Sequence, residues 1–197
     1  MSNVINDSSI KFDVSVPIIV IGAGAAGLIS ALAIHDSGTQ VLIVERDSSP
    51  SGSTALSSGL IPACNTRWQT AAKVVDDIPS FVSDIQSKNK KQANEVLVKK
   101  VCSISGKVLH WLVDKHDQKF DIVEGFLYPG HSVHRMHCHP KRTGKALIDS
   151  LVTAVEKIDI DIITSATVRD IFVGRDFCVK GVRVSRPNGT IENIGCN

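Results

Sequence analysis

The chain is poor in the features that mark several large protein classes. It lacks an excess of either charge: 22 basic and 20 acidic residues leave a net charge of +2, too balanced for a nucleic-acid partner. No apolar run is long enough to cross a bilayer, so no membrane insertion is expected. Residues 1–13 are polar, lack the basic-then-apolar order of a secretory signal, and read as a mobile leader before the first strand. The five cysteines are scattered, odd in number and free of any C-x-x-C pair, as expected for reduced thiols in a cytoplasmic protein. At 43% hydrophobic residues over 197 positions, the composition suits an ordinary globular chain with a substantial core.

The strongest signal present is Ile18-Ile19-Val20-Ile21 running into Gly22-Ala23-Gly24-Ala25-Ala26-Gly27, followed by Val41-Leu42-Ile43-Val44-Glu45. An apolar strand enters a G-x-G-x-x-G turn, an apolar helix leaves it, and a second strand ends in an acid. This is the dinucleotide-binding βαβ pattern in its proper context. Gly22 permits the tight turn, Gly24 leaves room for a pyrophosphate, and Gly27 lets the helix lie close on the sheet. The amides of Ala25 and Ala26 belong to the helix N-terminus, whose dipole favours phosphate. Glu45, with Arg46 beside it, is placed at the ribose, where a carboxylate can accept hydrogen bonds from the hydroxyl pair.

Periodicity then predicts a strand over Val16 to Ile21, a helix over Ala25 to Asp36 ending at Ser37-Gly38, and a strand over Gln40 to Glu45. The Ser/Gly/Pro-rich stretch from Asp47 to Pro62 reads as a binding loop. Weak helix follows over 66–89. A stronger one spans Gln92 to His116, with Leu97, Val101, Ile104, Val108, Trp111 and Leu112 on its apolar face. Phe120 to Pro140 is irregular and histidine-rich, and a further helix spans Gly144 to Lys157. The period then changes to two. Strands are expected at Asp159 to Ile163, Val168 to Val173, Phe177 to Val184 and Thr190 to Ile194, forming a meander with an Asn188-Gly189 turn. No later strand rejoins the parallel sheet, so part of the nucleotide domain is expected to lie outside this sequence.

Four stretches in order carry a resemblance: Gly22 to Leu28, Ser51-Gly52-Ser53-Thr54-Ala55-Leu56-Ser57-Ser58-Gly59, Gly130 to His137, and Arg142-Thr143-Gly144-Lys145-Ala146-Leu147. From about Val14 to Cys196 the chain resembles the FAD-binding domain of the fumarate reductase/succinate dehydrogenase flavoprotein family, which includes L-aspartate oxidase and ketosteroid dehydrogenases. The second stretch is similar to the family's G-G-[ST]-T-x-x-S-G-G loop, with Ser51 in place of its first glycine and Leu60 in place of its last. The resemblance implies an α/β fold: a Rossmann-like FAD-binding domain over 14–197, with a helical insertion at about 66–140 and an antiparallel β-meander at about 168–196. It also implies that the loop of Gly52, Ser53 and Thr54 follows the pyrophosphate and reaches the flavin at Ser58 and Gly59. The backbone at Val168 is expected to touch the adenine. Members with covalent flavin carry a histidine where Ser53 stands, so non-covalent FAD is implied. The family's capping domain and substrate-clamping residues lie outside the resembling stretch, and no catalytic residue is carried over. By itself, then, the chain is expected to be inactive.

His131, His134, His137, Cys138 and His139 crowd nine residues, yet match no standard zinc spacing, and no metal is expected. The resemblance to an H-S-x-x-R segment of L-aspartate oxidases instead puts His131 and Arg135 near the flavin or substrate. Lys88, Lys90, Lys91, Lys99 and Lys100 form a basic patch read as solvated helix faces, and Trp68 and Trp111 are read as packing residues. Two functions stay in view. One is the FAD-holding part of an oxidoreductase passing hydride between flavin and a small carboxylate or ketone substrate. The other is a non-catalytic dinucleotide-binding module or an NAD-binding domain. The sequence names no electron partner.

Overall fold

A computed structural model describes residues 3–6 and 9–196. Its elements, in chain order, are β1 (Val4–Asn6), β2 (Val14–Val16), β3 (Ile18–Ile21), α1 (Ala25–Asp36), β4 (Val41–Val44), α2 (Gly52–Ala55), β5 (Ile61–Pro62), α3 (Arg67–Ala71), α4 (Ile78–Lys88), α5 (Glu95–His116), β6 (Asp121–Ile122), β7 (Met136–Cys138), α6 (Gly144–Lys157), β8 (Asp161–Ile163), β9 (Thr167–Val173), β10 (Val179–Ser185) and β11 (Ile191–Cys196). The chain divides into two compact units. One combines the residues up to Leu56 with those from Ile148 on; the other is Ser57–Leu147.

In the first unit β3, β4 and β8 form a parallel sheet with β4 in the middle. All four β4 residues are buried, as befits an unalternating apolar run covered on both faces. Helix α1 lies against β3 and β4 and spans the residues expected of it. A second sheet of five strands runs β1-β9-β10-β11-β2, antiparallel through β9, β10 and β11 and parallel at both edges. Leu42 and Val44 of β4 share one core with Ala166, Val182, Val184 and Ile194.

Three expectations change here. The strand expected over 16–21 is split at Pro17, which has no N–H to give a ladder. Its first part, β2, pairs with β11, and the remainder, β3, pairs with β4. The strand expected within the meander at 159–163 instead joins the parallel sheet as β8, pairing Leu42 with Asp161 and Val44 with Ile163. The leader is not detached over its described residues. Val4–Asn6 pairs parallel to β9, and the Asp13 N–H donates to the Asn193 carbonyl at 2.8 Å. Phe12 sits edge-on to Phe172 at 5.9 Å, over Gly181 and Gly195, where a Cβ would strike its ring.

The second unit holds α3, α4 and α5 and a small antiparallel sheet ordered β5-β7-β6. Asp77 caps α4 by accepting from the Ser80 N–H at 2.7 Å, and Asn94 caps α5 through the Leu97 N–H at 3.0 Å. Cys64, Phe81, Val98 and Cys102 form the core between these helices. Over its first four turns the buried face of α5 is one residue out of step with the expected one: Val98, Cys102 and Leu109 are buried, whereas Leu97, Val101 and Ile104 are 62%, 48% and 38% exposed. Of the expected face, Leu112 is fully buried and Val108 and Trp111 are half-buried. Both stripes are apolar and lie about 100° apart on the helix. Close approach decides between them: Gly106 meets the backbone at Cys64, whose carbonyl a Cβ would overlap.

The register yields a test. Leu109→Ala should cost about 2–5 kcal/mol in urea unfolding and Leu97→Ala less than about 1 kcal/mol. Equal losses would restore the expected face.

Candidate functional site

The glycine turn sits at the carboxyl ends of the parallel strands, where open α/β sheets place their ligands. Gly22 adopts φ +98° and donates its N–H to the Val44 carbonyl at 2.8 Å, joining the turn to the central strand. At Gly27 a Cβ would overlap the Gly22 carbonyl oxygen, so only glycine lets α1 lie this close. Gly24 is the reverse case: a Cβ there meets nothing within 4 Å. Gly24 is also the N-cap of α1 and brings no side chain to it. The first intrahelical bond runs from the Leu28 N–H to the Gly24 carbonyl at 3.0 Å. The N–H groups of Ala25, Ala26 and Gly27 therefore lack an intrahelical acceptor, and the positive end of the helix faces the space before Gly24.

Glu45 ends β4. Its backbone donates to Ile163 and accepts from Ala166, both at 2.8 Å. Its carboxylate accepts the Ala23 N–H at 2.6 Å through one oxygen and the Asp47 N–H at 2.8 Å through the other. The side chain thus latches the glycine turn to the segment after β4, a role beyond the ribose contact expected from sequence. Arg46 beside it is largely exposed and paired with Asp47 at 3.1 Å.

The serine-rich loop arrives at the same place. Gly52 has φ +59°, and a Cβ on it would come within 3.6 Å of Gly24 Cα. Ser53 and Thr54 lie in the short helix α2 beside it. Val168, on β9, is half-buried against the shared core and pairs with Val184. The donor set and the open face at Gly24 fit a dinucleotide's pyrophosphate and ribose. Ser58 and Gly59 belong to the second unit. Gly59 has φ +66°, its N–H donates to Ser57 Oγ at 3.0 Å, and a Cβ would come within 3.0 Å of Gly144 Cα. The Gly144 N–H donates to the Ser57 carbonyl at 2.8 Å, which fixes this loop against the start of α6.

Arg135 departs from expectation. Its guanidinium is fully buried and committed to protein groups. It grips Asp76 through Nε at 2.8 Å and Nη2 at 2.7 Å, pairs with Asp84 through Nη1, and lies 4.9 Å from the Phe81 ring centre. The fork thus already holds two carboxylates, where the resemblance had placed it near the flavin or substrate. Burial pushes the Asp84 carboxyl up, but donors from Ser132 and Arg135 outweigh it and hold the group below its ordinary value. His131 packs between Phe81 and Tyr128 at 6.0 and 5.8 Å, and burial lowers its pKa. Among the described residues no three His, Cys, Asp or Glu side chains are grouped to hold a metal.

A buried polar chain that sequence reading missed runs beside Arg135. His137 lies 2.8 Å from the Arg135 carbonyl through Nδ1 and 2.8 Å from Thr66 Oγ1 through Nε2. A carbonyl only accepts, so Nδ1 carries the proton and Nε2 accepts from the hydroxyl. Gln69 closes the chain by donating to Asp76 at 2.9 Å and to the His134 carbonyl at 3.0 Å. Burial keeps the pKa of His137 below its ordinary 6.5. The unfolded chain therefore binds more protons between that lowered value and 6.5, and stability must fall as pH drops through this window. His110 and His139 shift the same way, also through burial. The melting temperature should decline from about pH 7 to about pH 5, and less steeply in His137→Gln. An unchanged slope in the variant would remove His137 from the cause.

A family model described as FAD binding domain matches residues 17–195. NADH:fumarate oxidoreductase of Klebsiella pneumoniae (strain 342) is 30% identical over 182 residues, covering 91% of this chain and 19% of that protein. Probable fumarate reductase Ifc3 of Shewanella frigidimarina (strain NCIMB 400) is 28% identical over 167 residues, covering 85% and 28%. Among solved structures, the open conformation of a flavocytochrome c3 fumarate reductase superposes with TM-score 0.87 at 27% identity, over 94% of this chain and 33% of that one. The 3-ketosteroid-delta4-(5alpha)-dehydrogenase of Rhodococcus jostii RHA1 shares the fold, with TM-score 0.80 at 21% identity, over 96% and 45%. The chain thus spans only 19% and 28% of the two curated relatives named.

Proposed function

The chain belongs to the FAD binding domain family, and from that premise we propose that it is the flavin-holding part of an oxidoreductase passing hydride between FAD and a small carboxylate or ketone substrate. The observation that carries this reading is the open, uncapped N-terminus of α1 before Gly24, with the Glu45 carboxylate latched onto the same turn. The amides of Ala25, Ala26 and Gly27 receive the pyrophosphate, and Gly22 and Gly24 keep the approach clear. Glu45 takes the ribose hydroxyls on the lone pairs its two amide contacts leave over, with Arg46 at the rim. Gly52, Ser53 and Thr54 line the diphosphate from the other side, and the backbone at Val168 takes the adenine. Ser58 and Gly59 hold the flavin end, where the close seat of Gly59 on Gly144 stiffens the loop.

When bound, FAD supplies the two-electron chemistry, while the protein binds, orients and excludes water. Ser53 cannot form a histidyl link, which supports non-covalent attachment. Free cysteines without a disulfide among the described residues support a reducing, cytoplasmic setting. The near-neutral charge argues against a nucleic-acid partner. No helix among the described residues is long and apolar enough to cross a membrane.

The purified protein should be yellow, absorbing near about 450 nm, and acid denaturation should release the flavin into the supernatant. Gly24→Val fills the space before the helix, where a Cβ meets no protein atom within 4 Å. It should leave the melting temperature of the flavin-free protein unchanged while lowering flavin content by about tenfold or more. A colourless protein that binds NAD, or a variant with full flavin content, would overturn the reading.

A further inference from the structure

The leader lies upstream of the family match and outside the residues given to the cofactor, yet it is built into the five-stranded sheet. β1 closes one edge by pairing with β9, and β2 closes the other by pairing with β11. Phe12, between them in sequence, lies over one face. The register sets Phe172, Gly181 and Gly195 side by side across β9, β10 and β11. Their neighbours Ile171, Val182 and Ile194 face the shared core, so these three face the other way. Phe172 is nevertheless fully buried: the Phe12 ring meets it edge-on at 5.9 Å, and the Arg183 guanidinium lies 5.2 Å from its ring centre. Two glycines opposed in a ladder weaken a sheet, and an aromatic ring laid over them makes good the loss. A Cβ would come within 2.6 Å of the Phe12 ring at Gly181 and 2.9 Å at Gly195, so this seat holds a ring only because both positions are glycine. β9 needs such a hold. Its ladder with β10 is broken twice, by an extra residue at Lys180 on β10 and another at Arg169 on β9, on either side of the block 170–172. Bulges bend a strand and raise its twist, so this ladder alone does not fix where Val168, beyond the second break, stands. The leader holds the block from its other edge. Ile171 donates its N–H to the Asn3 carbonyl at 2.8 Å, and Val4, Ile5 and Asn6 pair with Ile171, Phe172 and Val173. At its far end the Asp13 carboxylate accepts the Asn193 N–H at 2.8 Å.

We propose that the leader is a strap that sets the position of β9 for the adenine, with Phe12 as its anchor and a positioning residue of the cofactor site. The inference rests on the placement of the adenine at Val168 given above. The test titrates the full chain, freed of flavin, with FAD and with the analogue carrying hypoxanthine in place of adenine. Adenine presents an amino donor beside a ring-nitrogen acceptor, and hypoxanthine presents the reverse pair. A strand backbone held in place, with its N–H and C=O fixed, tells the two apart. The wild type should bind FAD at least about fivefold more tightly than the analogue. In Phe12→Ala the FAD affinity should fall by about fivefold or more and that of the analogue by less than about twofold, so the preference approaches one. Phe12→Leu keeps an apolar side chain over the glycines and should show an intermediate preference; it decides the matter if Phe12→Ala does not fold. Exchange of the Ile171 amide, whose acceptor is in the leader, should quicken by about tenfold or more in either variant. A strap that merely stabilises the sheet would weaken both dinucleotides alike, and that result overturns the proposal. So does a preference in the variants equal to that of the wild type. A wild type that binds both dinucleotides equally removes the adenine from Val168 and the proposal with it, and one that binds neither overturns the flavin reading itself.

Discussion

The first unit turns on the hydrogen bond between the Glu45 carboxylate and the Ala23 amide. A carboxylate so little exposed loses hydration, a cost offset only if the protein supplies donors. Here two backbone amides do so, one from the glycine turn and one from the segment after β4. The same carboxylate therefore sets where the turn stands relative to the central strand, and Gly22 N–H on the Val44 carbonyl sets it a second time. With the turn held at both ends, the first amides of α1 point at one place before any ligand arrives. That is preorganisation in the strict sense: the orientation cost is met by folding rather than by binding.

The second unit solves a similar problem with full charges. Arg135 and Asp76 are 0% and 1% exposed, and Asp84 lies nearby. Burying ions gains little over an apolar core, but removing one partner strands the others without water. The geometry is demanding: a bidentate fork on Asp76, a second carboxylate on Nη1, and an aromatic ring beneath. Few alternative arrangements of α4 and the 132–138 segment satisfy it. The neighbouring His137–Thr66–Gln69 chain extends the same constraint into β7 and α3. Buried cysteines add no reactivity there, since burial pushes the Cys102 thiol up to about 11.

Local rules read the first unit well because its signals are local. The glycine turn, the exit of α1 at Gly38 and the buried run of β4 each follow from a few adjacent residues. The serine loop was legible by its small side chains, and its meeting with Gly24 follows from Gly52. Where the reading failed, distance was the cause. Nothing near residue 4 announces a partner at residue 171, and nothing in Asp161-Ile162-Ile163 distinguishes a parallel neighbour of β4 from a first meander strand. On α5 two apolar stripes competed, and the choice lay in one glycine facing a backbone carbonyl 42 positions earlier. Arg135 was placed near the flavin or substrate, and nothing local announced the two aspartates that hold it, 59 and 51 residues away.

The placement of β8 has a consequence for how the chain comes into being. Val44 pairs with Ile163, and the whole of the second unit is encoded between them. At a synthesis rate of about 5–20 residues per second, β4 emerges from the ribosome roughly 6–24 s before the strand that covers its second edge. Throughout that interval an apolar, four-residue strand has only β3 beside it in the sheet, and α1 against one face. The intervening helices have time to assemble on their own while the nucleotide sheet waits, and the nascent chain is most exposed to wrong strand pairing, or most in need of a chaperone, over those seconds.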